Sequence, residues 1–519
     1  MRQLPFGTYF TSMESLGKIN TKGVLQSKHL WLKISSATNS DKEVPMKAKT
    51  FALLTILALI AATMSLPKNV QAQAYSTRFT TSITYQNVGS GEATLQILFY
   101  EQPTTTTPIV VSRPNLGPGE SASIFIGSLS EIADGFRGSA VIQSDQPLLA
   151  TLVQIPQGSS TVFVRPLSNG FQQGGPQALI ATVLKNMFGS HTIFSIQNVD
   201  TEPNNVTIQF YNTSALLVHT ITQTIQPGAS YYVDAATVSQ LGTSFNGSAV
   251  VIAKRADNTD GKIVGTAMEL DITGTGAKAF ESVAAGARKL YMPSALCNVF
   301  GGQSTAFAVQ NTSLSTSTSV TVTYYPGGLS ATKSIGPGAK SSFPACETVS
   351  AGFVGSAVVE STATDVVVIG KAYGAGLSTA FLGEPQGYAK LALPYVRWAP
   401  DAYYYNGSRQ RTFIAIQNVG ADTIPAGSIT ITYTDPFGHT GTHTYNQPLA
   451  SGAKFNSDAS KAGLTWFGMA EPPASGFGGG AIINCTAPGC QLIAIARVAT
   501  YVPSAGSYAA EDYNGMPVP

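Results

Sequence analysis

Polar and apolar residues alternate through Thr81, Ile83 and Tyr85, and again through Ala93, Leu95, Ile97 and Phe99. A period of two puts one side of a strand on a core and the other toward water. The same pattern recurs from Thr192 to Ile196, Val206 to Tyr211, Val320 to Tyr325 and Ile429 to Tyr433, in words rich in β-branched and aromatic residues. Shorter apolar pairs such as Ala140 to Gln143 with Leu148 to Val153, and Ala357 to Val359 with Val366 to Ile369, read as late hairpins that close the sheets. Long amphipathic helical periodicity is absent from the sequence, so the expectation is an all-β chain.

The pattern repeats four times. A Gln-Asn pair ends an alternating run at Gln86-Asn87, Gln197-Asn198, Gln310-Asn311 and Gln417-Asn418, a period of a small domain rather than of a solenoid unit. A second marker keeps the same phase, beginning at Phe136, Phe245, Phe353 and Phe477, with Gly-Ser-Ala following in the first three and Gly-Gly-Ala in the fourth. Between the markers lies a turn, Gly117-Pro118-Gly119, Gln226-Pro227-Gly228 or Gly336-Pro337-Gly338, replaced by Leu449-Ala450-Ser451-Gly452 in the fourth unit. Proline fixes φ there and glycine permits the reversal. About six or seven short strands per unit suit two packed antiparallel sheets. The fold class expected is therefore four tandem immunoglobulin-like antiparallel β-sandwich domains, at 75–170, 176–286, 289–387 and 390–519. The connectors Leu184-Lys185-Asn186-Met187-Phe188 and Leu296-Cys297-Asn298-Val299-Phe300 are apolar, which argues for packed junctions and not free linkers. Such junctions make a semi-rigid rod or a compact pseudo-symmetric cluster, since sequence does not fix the interdomain angle.

Upstream of the first unit, Lys47 and Lys49 precede an apolar run from Phe51 to Met64 and the small-residue motif Val70-Gln71-Ala72. This reads as a signal peptide at 46–72, too short to span a bilayer comfortably. Residues 1–45 are mixed and polar, and with Met46 just before the basic pair they read as a misassigned N-terminal extension. The whole chain carries a formal charge of +2. Its basic excess sits before residue 73, leaving a weakly acidic remainder without a concentrated basic patch, which argues against a nucleic-acid partner. No later apolar segment reaches spanning length, so no integral membrane segment is expected after signal removal. The expected location is secreted or extracellular at the cell surface, or periplasmic.

Export makes disulfides plausible for the four cysteines, and their grouping favours Cys297 with Cys346 and Cys485 with Cys490. Six Asn-x-Ser/Thr acceptors, at Asn205, Asn212, Asn246, Asn311, Asn406 and Asn484, are candidate glycosylation sites. The histidines do not complete a zinc-ligand cluster: His191 begins a strand, and His439 and His443 lack the one-face geometry a helix would give them. No metal or cofactor is expected. The repeated glutamine and asparagine fit turn construction better than a ligand clamp. Ser139, Ser248 and Ser356 recur without an accompanying His-acid constellation and read as structural. Asp134, Asp234, Asp365 and Asp435 fall in unlike contexts, with nothing to pair two carboxylates across a groove. The chain is therefore expected to be nonenzymatic.

Aromatic residues supply the best candidate contact site. Tyr395, Trp398, Tyr403, Tyr404 and Tyr405 cluster near Arg397 and Arg409, with Trp466 further on. Aromatic faces stack on sugars or on protein side chains and arginine adds directional hydrogen bonds, while an interdomain junction uses the same residues. In its four strand-rich units, across roughly residues 75–519, the chain resembles bacterial secreted multidomain β-sandwich proteins of the cell surface. That resemblance implies an extracellular structural or adhesive role, with other surface proteins, further copies of the chain, or extracellular polysaccharide as partners. The competing readings are a carbohydrate-binding module array and a noncatalytic subunit of a secreted enzyme complex.

Overall fold

The computed structural model describes residues 6–11, 77–102, 104–157, 164–271, 276–398, 409–463, 477–502 and 507–519; of 6–11, 409, 477, 502, 507 and 508 it describes the backbone alone. The first sandwich uses β1 (Phe6–Thr11), β2 (Arg78–Asn87), β3 (Leu95–Glu101), β4 (Ile109–Ser112), β5 (Ser121–Phe125), β6 (Gly138–Ser144), β7 (Leu148–Gln157) and β8 (Leu167–Asn169), in sheets ordered β1-β6-β3-β4 and β5-β2-β7-β8. The second uses β9 (Gln177–Lys185), β10 (Ser190–Asn198), β11 (Asn204–Asn212), β12 (Leu217–Ile225), β13 (Ser230–Asp234), β14 (Phe245–Lys254), β15 (Ile263–Asp271) and β16 (Ala277–Glu281), as β12-β11-β14-β9 and β13-β10-β15-β16. The third repeats this with β17 (Lys289–Cys297), β18 (Ser304–Asn311), β19 (Thr318–Tyr325), β20 (Leu329–Ile335), β21 (Lys340–Pro344), β22 (Phe353–Ser361), β23 (Val366–Gly374) and β24 (Leu377–Leu382). The fourth has β25 (Lys390–Trp398), β26 (Arg409–Asn418), β27 (Ile429–Thr434), β28 (Thr440–Tyr445), β29 (Lys454–Ser457), β30 (Phe477–Cys485), β31 (Leu492–Val502), β32 (Ser507–Asn514) and β33 (Met516–Pro517). There a Trp398–Arg411 pairing of β25 with β26 joins the two layers into one sheet.

The chain is all-β and antiparallel, as its alternation predicts. In each sandwich the second strand pairs the fifth and the third pairs the sixth, as B–E and C–F do in an immunoglobulin domain. The outer strands differ from that arrangement, because the first strand joins the C–F layer and the last two extend the B–E layer. Alternation is visible in β19, whose Val320, Val322 and Tyr324 are buried in the third core. Each such side chain contributes roughly 1.5–3 kcal/mol through burial. The markers Phe136, Phe245 and Phe353 meet Phe99, Phe210 and Tyr324 edge to face. The disulfides join Cys297 to Cys346 and Cys485 to Cys490, the pairs that the grouping favours.

Residues 6–11, set aside with the N-terminal extension in the sequence reading, supply a strand. They take the place on β6 that β9, β17 and β25 take on β14, β22 and β30.

The two sequence markers meet at the domain junctions. Each asparagine clamps its own loops: Asn87 Nδ2 donates to Gly91 O (2.7 Å) and Leu116 O (2.8 Å) while its Oδ1 accepts from Gly89 N (2.9 Å). Asn198, Asn311 and Asn418 do the same. Each glutamine donates to the carbonyl of its own turn, Gln197 to Gly228 at 3.1 Å and Gln310 to Gly338 at 3.4 Å. The serine of the preceding domain reaches the same carbonyl: Ser139 Oγ donates to Gly228 O and Ser248 Oγ to Gly338 O, both at 2.6 Å. At the third junction Lys454 Nζ donates to Gly355 O at 2.9 Å. At the fourth, Gly480 stands where the serine would be, against the amide of Gln86, and Val88 and Leu149 pack with Ala392 and Met516. The fourth sandwich thus returns to the first. The four form a closed ring, the compact pseudo-symmetric alternative and not the rod.

Closing strands β8, β16, β24 and β32 line the middle of that ring. Register makes Asn169, Glu281, Leu382 and Asn514 equivalent, and these residues touch across the axis. Asn169 N donates to Glu281 Oε1 and its Nδ2 to Asn514 O (2.9 Å), while Asn514 accepts from Leu382 N at 3.0 Å and donates to Leu382 O at 2.9 Å.

Candidate functional site

The aromatic group singled out from sequence divides once placed. Tyr395 is buried in the fourth core, its backbone carbonyl accepting from Tyr513 Oη at 2.7 Å and its ring covered by the Arg397 guanidinium at 4.2 Å. Trp398 is half-buried, with Arg411 over its ring at 4.9 Å and Phe413 edge-on at 5.9 Å. Tyr403, Tyr404, Tyr405, Asn406 and Trp466 lie outside the described residues, as does the side chain of Arg409. Among the glycosylation candidates, Asn205 is exposed, and Asn212, Asn246 and Asn484 are partly so. Asn311 is a correction: it is 0% exposed and both ends of its amide clamp loops, so the folded domain has no room for a glycan there.

His191 Nδ1 accepts from Asn186 N at 3.3 Å, His439 pairs with Asp435 at 2.9 Å, and His443 meets Ser457 at 2.7 Å. These histidines stay apart, and among the described residues no group of three His, Cys, Asp or Glu is placed to hold a metal.

What the structure brings together is charge between domains. β9 carries an irregularity opposite Gly247 and Ala249, and Thr182 lies in it. Such bulges re-aim side chains. Thr182 Oγ1 donates to Glu269 Oε1 at 3.0 Å and accepts from Lys340 Nζ (3.0 Å) and Lys371 Nζ (2.9 Å). Lys371 also reaches Glu269 directly at 2.5 Å, and Lys278 lies 3.5 Å from its other oxygen. Glu269 and Lys278 come from the second sandwich, Lys340 and Lys371 from the third. They line a cleft of about 530 Å³ whose other walls include Leu184, Phe188, Tyr373 and Leu377.

Burial opposes the charge on Glu269, but Lys371 and Lys278 outweigh it and bring its pKa down to about 2. Burial, helped by the like charge of Lys371, pushes Lys340 down to about 7. Burial lowers Lys371 as well, against the pull of Glu269.

A counterpart of about 610 Å³ lies between the third and fourth sandwiches, lined in part by Arg411, Phe413, Lys454 and Arg497. Its cations have other contacts: Lys454 donates to backbone carbonyls, Arg497 holds Asp512 with two bonds of 2.8 Å, and Arg411 lies over the Trp398 ring at 4.9 Å. At the first junction Ser230 and Met268 hold the register places of Lys340 and Lys371. The apolar connectors end at these clefts. Leu184 and Leu296 are buried, but Phe188 and Phe300 sit at positive φ (52° and 48°) and stand exposed at the two cleft walls.

The axis holds a second set of perturbed acids. Burial raises Glu281 to about 7 and Glu511 to about 8; it also raises Glu384 to about 7, with Asn514 pulling the other way.

Sequence reasoning passed over Glu269, Lys278, Lys340 and Lys371. A signal was present: in a chain only 11% charged, Lys371 interrupts an apolar strand word and Lys340 directly follows a turn-and-alanine step. Neither a family model nor a curated protein matches the sequence.

Proposed function

We propose that this chain is a nonenzymatic extracellular structural or adhesive protein, a rigid ring that presents the same kind of contact four times. One observation carries the reading. Each sandwich ends one sheet in an edge hairpin, β3–β4, β11–β12, β19–β20 and β27–β28, and each hairpin exposes a large apolar side chain. Val110 is 50% exposed, Leu216 62%, Leu329 53% and Phe437 65%. Single exposed apolar residues are ordinary. Their recurrence at equivalent hairpins of a pseudo-four-fold ring gives multivalent contact, in which weak individual contacts add through effective concentration. The outer edges β4, β12, β20 and β28 also leave backbone groups open to pairing with another chain. Both disulfides suit an oxidising compartment, and among the described residues no helix is long and apolar enough to cross a membrane.

A carbohydrate-binding array is the second reading, supported by the half-buried Trp398 with Arg411 and Phe413, which line the cleft between the third and fourth sandwiches. One experiment separates the two. The chain and a Leu216→Ser/Leu329→Ser/Phe437→Ser variant are compared for oligomeric mass and for retention on the producing cells, with a Trp398→Ala variant screened on glycans. The adhesive reading expects assembly or retention that falls several-fold in the hairpin variant. A monodisperse chain that is not retained, together with saturable glycan binding lost in Trp398→Ala, would replace it with the second.

A further inference from the structure

We propose that the cleft between the second and third sandwiches is a binding site for a small organic anion, a carboxylate or phosphate monoester on an apolar or planar body. The charge count is the first reason. Three ammonium groups, Lys278, Lys340 and Lys371, face one carboxylate, Glu269, at the base of the cleft. Among the described residues the only other acid in its wall is Asp271, and Ser190 Oγ is hydrogen-bonded to that carboxylate at 3.1 Å. Lys340 is 3% exposed and its hydrogen bond goes to a neutral hydroxyl, Thr182. A cation taken out of water without a carboxylate of its own costs stability, and a bound anion removes that cost.

The second reason is shape. A cleft of about 530 Å³ is of the size that takes small organic ligands and far exceeds a bare ion. Its walls combine the cationic floor with Leu184 and Leu377, and with the exposed rings of Phe188 and Tyr373. Such a surface fits the body of an organic acid whose charged head reaches the lysines. The third reason is that this chemistry belongs to one junction only. The first junction has Ser230 and Met268 in the lysine places, and in the third Arg497 is paired with Asp512 and Lys454 spends its donors on two backbone carbonyls, so neither gathers three ammonium groups around one carboxylate. Lys340 and Lys371 do bridge this junction to Thr182 and Glu269, but the exposed hairpins proposed for adhesion use none of the three lysines, so the site stands or falls separately from that role.

The test is isothermal titration of the full chain with sodium benzoate and with phenyl phosphate, against sodium chloride at equal ionic strength. Saturable binding of at least one is expected, and the tighter of the two identifies the preferred head group. Lys340→Met is expected to weaken it tenfold or more. Lys454→Met, which removes a buried lysine from the neighbouring cleft, is expected to leave it within twofold. Phe188→Ser, a change at an exposed wall residue that does not threaten folding, is expected to weaken binding at least threefold. Lys340→Met should itself unfold at the same or a higher temperature than the parent chain, because it removes an uncompensated charge. The proposal is overturned if neither anion binds above chloride, if Lys454→Met weakens binding as much as Lys340→Met, or if both Lys340→Met and Phe188→Ser bind like the parent.

Discussion

Gly338 carries the ring's geometry in a form that one methyl group can test. It sits at φ +66° in the turn of the third sandwich, and a Cβ there would stand 2.8 Å from Cγ of Tyr211, with Cδ1 and Cδ2 at 2.9 and 3.0 Å. Those atoms are the base of a buried ring in the second sandwich, so the ring cannot swing clear while the domains keep their distance. Gly338→Ala therefore meets two costs, about 1–2 kcal/mol for a left-handed alanine and about 1–3 kcal/mol for overpacking the junction. Gly352→Ala isolates the first, because Gly352 has φ +92° and nothing within 4 Å of its Cβ position. Urea unfolding followed by circular dichroism should show Gly338→Ala less stable than Gly352→Ala by the overpacking difference. Hydrogen exchange should quicken in the second and third sandwiches in Gly338→Ala alone. Adding Tyr211→Ala to Gly338→Ala should cost less than Tyr211→Ala costs in the parent, the coupling expected of residues in contact. Equal losses for the two glycine variants, with additive effects of Tyr211→Ala, would refute the close approach of these domains and with it the closed ring.

Two further outcomes follow from the axis and the edge. Glu281, Glu384 and Glu511 have folded-state pKa values of about 7, about 7 and about 8 against an ordinary 4.5, so over that interval the folded chain keeps protons that the unfolded chain has released. Stability should fall as pH rises through it, giving a higher unfolding temperature at pH 5 than at pH 7.5; Glu281→Gln with Glu511→Gln should flatten the slope, and a parent profile that is flat or rises would contradict it. Other groups shape the flanks with the opposite sign: Glu269 loses its contribution as pH drops from 4.5 toward about 2, and Lys340 and Lys454 return stability as pH climbs from about 7 and about 8 toward 10.5. At the edge, deleting residues 1–45 removes β1 and leaves β6 unpaired on that side. Amide exchange across Gly138–Ser144 should then accelerate at least tenfold relative to Phe245–Lys254, and unchanged protection would show that another segment takes the place.

Sequence was most informative where structure is local and repeated. Alternation through Val320, Val322 and Tyr324 already specified which side of β19 faces a core, because the strand period alone sorts side chains between two faces. The Gln-Asn pair was legible as turn construction, since an asparagine amide beside a loop has few other uses, and the grouping of cysteines matched the bonds found. Trp398 and Tyr395 drew notice as aromatic residues. Their division into one core and one half-buried side chain was not readable from sequence, because β25 is buried on both faces over most of its length and its register shifts between Leu393 and Val396.

The charged cleft was beyond sequence because its members come from positions 182, 269, 278, 340 and 371 and from both sides of a domain junction. Taken singly, Lys340 and Lys371 are lone lysines in strands, and such residues usually reach solvent. Ring closure has the same character. Ser139 and Gly228 recur in sequence for a reason that appears only once one domain's hydroxyl meets the next domain's turn carbonyl. The chain by itself thus determined four sandwiches, through periodicities that act within a strand and its neighbours. The angle between them, and the site that angle creates, were decided by tertiary packing, where contacts between residues far apart in sequence depend on how whole surfaces fit.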